Sequence, residues 1–179
     1  MRWLVILLVL MLAGCATKMG KDGRTESSVD VKYLAKSEVD RVADTTRTEV
    51  MDGLMLIADK LYKRNPKEWK KAGMASREAA LERLRNRFYR NLPELGGLRE
   101  GQAASLAFTE TYTGDRVAAL MLGLLTMADA AFEHRAEFFL LDTLNEQKLF
   151  NCARNMEVAV WKLGNDRNAA GELYLLSNE

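Results

Sequence analysis

Glu133-His134-Arg135-Ala136-Glu137 places the chain's only histidine between two carboxylates. On a helix Glu133 and Glu137 would share a face, four residues apart. Two carboxylates and an imidazole are groups that bind a divalent metal or move protons. Yet Glu133 and His134 are neighbours and point in different directions, and no second histidine completes a zinc-type set. The stretch therefore reads as a charged helix end, an ion-pair cluster that includes Arg135, with no metal. Other chemistries have no motif here. There is no Gly-x-Ser-x-Gly nucleophile elbow, and no Gly-Lys-Ser/Thr follows the glycines at 96, 97 and 101. Carboxylate pairs in a charged helical chain do not single out a glycosidase. No enzyme and no cofactor are expected.

The cysteines carry the other chemistry. Cys15 closes an apolar run, Leu4 to Leu12, that starts after Arg2 and ends in Leu12-Ala13-Gly14-Cys15. A positive start and a short apolar core have the layout of a secretory signal. From Trp3 to Gly14 the run is short of the roughly 20 residues that a spanning helix needs. Leu-Ala-Gly-Cys resembles the lipobox of bacterial lipoproteins. That resemblance implies acyl chains on the Cys15 thiol and cleavage between Gly14 and Cys15. Ala16 in place of an aspartate implies the outer membrane, on its periplasmic face. Cys152 is then left without a partner for a disulfide. It reads as a buried inert thiol, since free cysteine is usually buried; a reactive thiol would need an exposed, electropositive setting.

Charge is uneven along the chain. Without Arg2, 25 basic and 25 acidic side chains remain. Between Lys60 and Arg90 eleven basic residues face only Glu68, Glu78 and Glu82, a local net of +8. Lys63, Lys67, Lys70, Arg83, Arg87 and Arg90 form a candidate basic surface for an acidic partner: lipid phosphates, an anionic polymer or a protein. The equally weighted alternative is a solvated face paired to the acidic first helix. Nucleic acid is not expected, because Tyr62, Trp69, Phe88 and Tyr89 make no stacking platform.

The elements that position these groups read as helices. Proline is scarce and Ala, Leu, Glu, Lys and Arg are frequent. The polar stretch 15–36 reads as a tether spanning on the order of 25 Å, with Val31, Tyr33 and Leu34 docking its end. Ser37 and Asp40 open a helix over 38–64, with Val39, Val42, Thr46, Val50, Leu54, Ile57 and Leu61 on its apolar face. Asn65-Pro66 ends it. A short helix follows to Lys71, then Ser76 caps one over 77–91 that uses Ala80, Leu81, Leu84 and Phe88. Tyr62, Asn65 and Pro66 followed by a helix pair resemble the junction between tetratricopeptide repeats, although no second copy of the pattern is visible.

Leu92 to Gln102 reads as a loop and Ala103 to Tyr112 as a short helix. Thr113-Gly114-Asp115 then caps Val117–Phe132. This run is apolar nearly all round and so belongs in a core or a membrane. Its length and Asp129 favour the core. Phe138 to Leu141 reads as a packing segment. A last helix begins at Asp142 or Asn145, with Leu149, Cys152, Ala153, Met156, Ala159, Val160 and Leu163 inward and Gly164 at its end. Gly171 to Leu176 is a strand or a docked tail.

The expectation is therefore an all-α protein, a multi-helix bundle or tetratricopeptide-like array with a central buried helix. Residues 1–14 form the signal peptide, 15–36 the tether and 37–179 the helical domain. A non-enzymatic envelope adaptor or assembly factor is the first functional expectation, with an envelope protein as partner. The alternative is a carrier or sensor of an apolar ligand held between helices, for which Met51, Met55, Met121, Met127 and Met156 would supply an adaptable lining.

Overall fold

The computed structural model describes residues 36–87 and 92–177, Arg87 as backbone only, together with the backbone of two short strands. These strands, β1 (Lys18–Met19) and β2 (Thr25–Glu26), pair antiparallel. The cleavage site, Cys15, Val31, Tyr33, Leu34, Phe88 and Arg90 lie outside the described residues.

The protein is an all-α bundle. Its helices are α1 (Glu38–Arg64), α2 (Pro66–Lys71), α3 (Arg77–Arg87), α4 (Glu100–Leu106), α5 (Arg116–Ala131) and α6 (Glu146–Asn165), with one 3-10 turn at Pro93–Leu95. The core is built round α5. All its residues but Ala130 are buried, including Arg116, Thr126 and Asp129. Helices α1, α2, α3, α4 and α6 pack on it. An apolar run of sixteen residues satisfies its backbone within the helix and needs apolar neighbours all round. Among the described residues no helix is long and apolar enough to cross a membrane.

Local chemistry sets the helix ends. Ser37 and Asp40 form a capping box: the Asp40 N–H donates to Ser37 Oγ at 3.2 Å and the Ser37 N–H to Asp40 Oδ2 at 2.7 Å. Asp115 caps α5 by accepting from the Ala118 N–H at 2.8 Å, and Asn145 caps α6 through the Lys148 N–H at 3.1 Å. Each cap satisfies an N–H that the first helical turn leaves open.

Several expectations change. Val39, Val42, Thr46 and Ile57 are exposed, and α1 instead buries Asp40, Ala43, Leu54, Ala58, Leu61 and Tyr62. The reason is a tertiary ion pair. Asp129 is buried in α5 and Arg47 reaches it at 3.2 Å, which turns the Arg47 side of α1 inward. Helix α4 starts three residues earlier than expected and is over by Leu106. Its first N–H, on Glu100, donates to the Thr126 hydroxyl of α5 at 2.9 Å, an acceptor far away in sequence. At Gly123 the backbones of α4 and α5 touch: a Cβ there would stand 2.4 Å from the Ala104 nitrogen and 2.6 Å from the Glu100 oxygen.

Of Phe138 to Leu141, only Phe138 is buried, its ring edge-on to Phe132 at 6.4 Å. Leu140 and Leu141 face solvent. On α6, Leu149, Cys152, Met156, Ala159 and Leu163 turn inward, whereas Ala153 and Val160 are exposed. The tail docks. Leu175 is buried, and beyond the single bridge Arg167–Leu173 the tail forms no strand.

Candidate functional site

The basic segment lies on α2, on α3 and at the C-terminal end of α1, and most of its charges have partners. Lys63 pairs with Asp59 at 2.7 Å, Lys71 with Glu68 at 2.7 Å, Arg77 with Asp59 at 3.0 Å and Arg83 with Glu94 at 2.6 Å. Two of these acids, Asp59 and Glu94, are the segment's own neighbours in space: one precedes it on α1, the other follows it in the 3-10 turn. Lys67 is exposed and has no carboxylate partner among the described residues; Lys70 lies over the Trp69 ring at 5.4 Å. Arg87 is known only as backbone. Pairs of this kind at a surface are weak. Among the described residues of the candidate surface, Lys63 and Arg83 are thus paired, while Lys67 and Lys70 on α2 have no carboxylate partner.

His134 does not meet Glu133 and Glu137. Helix α5 ends at Ala131, and Glu133 and His134 both adopt left-handed backbone (φ 55° and 57°), so no shared helix face exists. Glu133 pairs with Lys148 at 2.6 Å, Glu137 with Lys36 at 3.4 Å, and Arg135 with Asp142 at 2.8 Å. The partner of His134 is Asp129: Nδ1 lies 2.7 Å from Oδ2, and the His134 N–H donates to the Asp129 carbonyl at 2.8 Å. Arg47, buried Asp129 and exposed His134 therefore form a line from the core to the surface. The carboxylate can orient the imidazole, as in a general base. It also serves the Arg47 ion pair, and the imidazole closes a helix C-terminus where a cation is favoured. Among the described residues no three His, Cys, Asp or Glu side chains converge on a metal position.

A second polar knot holds the start of α5. The Tyr62 hydroxyl donates to Asp115 Oδ2 at 2.9 Å, and the Arg116 N–H donates to Glu68 Oε2 at 2.8 Å. The Arg116 guanidinium donates to the carbonyls of Ala107, Thr109 and Tyr112, and stacks on Tyr174 at 4.7 Å. Burial pushes the Asp115 carboxyl above the usual carboxylate range, against the hydrogen bonds that favour its charge. Burial, with Asp115 adding to it, raises the Tyr62 phenol strongly. These groups are buried and mutually satisfied, which suits them to hold α1, α2, α5 and the tail together.

Two further surfaces are open among the described residues. The outward side of α6 carries Phe150, Ala153, Val160 and Trp161, with Phe150 66% and Trp161 61% exposed. Residues 150, 153, 157, 160 and 161 follow helical spacing, and the Arg154–Glu157 pair at 2.6 Å lies among them. Between α1, α3 and α5, an open cleft of about 270 Å³ is lined by Met51, Met55, Leu84 and Leu125, with Arg47, Asp52 and Arg85 also on its walls. Cys152 belongs to neither. It is buried, and burial followed by the Glu100 charge raises its thiol, which opposes reactivity.

No family model, curated protein or solved structure matches the chain. The Arg47–Asp129 pair and the α6 face went unseen in the sequence. An aspartate inside an apolar helix does signal a buried cation, but not which one. The aromatic spacing of Phe150 and Trp161 was legible, but was hidden by an inward stripe of similar strength on the same helix.

Proposed function

We propose that this protein is a non-enzymatic envelope adaptor or assembly factor, held by acyl chains on Cys15 at the periplasmic face of the outer membrane. The observation that carries the adaptor reading is the outward face of α6. A helix whose inner stripe is already packed has no structural need for Phe150, Val160 and Trp161 in water. Aromatic side chains of this kind are enriched where proteins meet. The anchor reading stands on Leu12-Ala13-Gly14-Cys15 alone.

A second reading is a carrier or sensor of a small apolar ligand, favoured by the methionine-lined cleft between α1, α3 and α5. At about 270 Å³ this cleft is slightly below the ~300 Å³ at which ordinary ligand pockets begin. The rest of the interior is filled by the α5 side chains.

The test is a photo-crosslinking residue at Phe150 in cells, with Trp161→Asp as the matched variant. A discrete adduct that Trp161→Asp abolishes supports an adaptor. Absence of any adduct, with a native lipid or other apolar compound co-purifying with the protein and lost in Met55→Trp, favours the carrier. Cys15→Ser separately tests the anchor: normal processing and outer-membrane fractionation of that variant would remove it.

A further inference from the structure

Phe139, Leu140, Leu141 and Asp142 form a β-turn, closed by the Asp142 N–H donating to the Phe139 carbonyl at 2.7 Å. Turn corners usually carry Gly, Asn, Asp or Pro. Here two leucines occupy them, 66% and 94% exposed. The turn is firmly built. The Phe139 N–H donates to Asp142 Oδ2 at 3.0 Å, and Arg135 holds Asp142 at 2.8 Å. Buried Phe138 anchors the preceding residue, its N–H donating to Asp44 Oδ1 at 2.7 Å. Lys36 ties the base by pairing with Asp44 and Glu137 and lying over the Phe139 ring at 5.0 Å.

Lys36 is also the first residue described ahead of α1, and Cys15 precedes it with twenty residues, 16–35, intervening. The exposed leucine pair therefore stands beside the residue nearest in sequence to Cys15 that the bundle holds.

We propose that the Leu140–Leu141 turn is a membrane wedge. Its two side chains enter the leaflet that carries acylated Cys15 and fix the orientation of the domain on the lipid. The proposal rests on the acylation reading above. The occupant is a bilayer because the proposed acylation site, Cys15, precedes Lys36 at the base of the turn by only 21 positions. Apolar side chains gain by leaving water for hydrocarbon. The acyl chains hold the protein at the surface but leave its orientation free, and a second attachment point fixes it. Helix α1 then separates this end from Lys63, Lys67 and Lys70 by about 40 Å, the length of 27 helical residues.

The test uses the purified, acylated protein, processed at Cys15, in vesicles of phosphatidylethanolamine and phosphatidylglycerol with doxyl-labelled lipid. Leu141→Cys carries an environment-sensitive fluorophore; Cys15 is blocked by acylation and Cys152 by burial. Lys67→Cys is the control site. The expected result is a blue-shifted, doxyl-quenched probe at 141, a water-like probe at 67, and loss of quenching at 141 when Leu140→Asp is added. Vesicles that float with the protein while the 141 probe stays water-like overturn the wedge and leave the anchor standing. Failure of the protein to float overturns the anchor, and the wedge with it. Shielding of the 141 probe in cells but not in protein-free vesicles assigns the turn to a protein partner and overturns the lipid proposal.

Discussion

The side-chain amide of Asn65 pairs with the backbone of Leu176 at both ends: Nδ2 donates to the Leu176 carbonyl at 2.9 Å, and Oδ1 accepts from the Leu176 N–H at 2.8 Å. The same Nδ2 donates to the Leu61 carbonyl at 2.8 Å, and Arg64 donates to the Ser177 carbonyl. One residue thus satisfies the end of α1 and holds the tail that seats Leu175 in the core. Asn65→Ala removes three side-chain hydrogen bonds and should cost about 2–3 kcal/mol in urea unfolding, at roughly 1 kcal/mol net for each. It should also speed proteolysis after Tyr174. Asn65→Asp keeps the acceptor but not the donor, and should fall between Asn65→Ala and the native chain.

Arg47→Met should cost about 3 kcal/mol, the low end for breaking a buried pair, because Asp129 keeps His134. Pairing it with Asp129→Asn should return part of that loss. A double-mutant cycle by chemical denaturation reads the coupling; additive losses would show that the pair does not set the rotation of α1.

Gly123→Ala puts a methyl group against the backbone of α4, where no side chain can move aside. Overpacking of this kind should cost about 3 kcal/mol and lower the Tm. Gly53→Ala, where nothing lies within 4 Å of the added atom, is the control and should stay neutral or stabilise.

Stability should fall on the alkaline side. Burial raises Tyr62 strongly and pushes Tyr112 up to about 12, from 10.0 in the unfolded chain. Above pH 10 the unfolded state loses phenolic protons that the folded state keeps, so each tyrosine's contribution is lost as pH rises through that window. Tyr62→Phe should flatten the slope of unfolding free energy against pH above 10. Asp115 gives the same sign in acid. Its folded pKa is raised above 3.8, so its contribution is fully present below 3.8 and is lost as pH rises through the raised value. Relative to Asp115→Asn, the native chain should gain stability as pH falls toward 3.8.

Helix starts that depend on neighbouring residues were legible in the sequence: Ser37 with Asp40, Asp115 before the apolar run, and, before α6, Asn145 as one of two candidates with Asp142. The burial of α5 was legible because an apolar surface on all sides of a helix has few other solutions. The rotation of α1 was not, because it follows from Arg47 meeting Asp129, 82 residues later. The start of α4 depends on the Thr126 hydroxyl, and the fate of the basic segment on Asp59 and Glu94 outside it. Leu140 and Leu141 read as core by composition; the hydrogen bonds of Asp142 make them a turn.

The Asn65–Leu176 clamp spans 111 residues. Proteins are synthesised from the N-terminus, so α1 and α2 exist long before the segment that joins them to the rest of the bundle. Until that segment arrives, the Leu175 socket is empty and the Asn65 amide lacks its second partner. The same holds for a molecule clipped ahead of Leu175. For a protease that surveys nascent chains, α1 is therefore open on this side for most of the time that the bundle takes to be made.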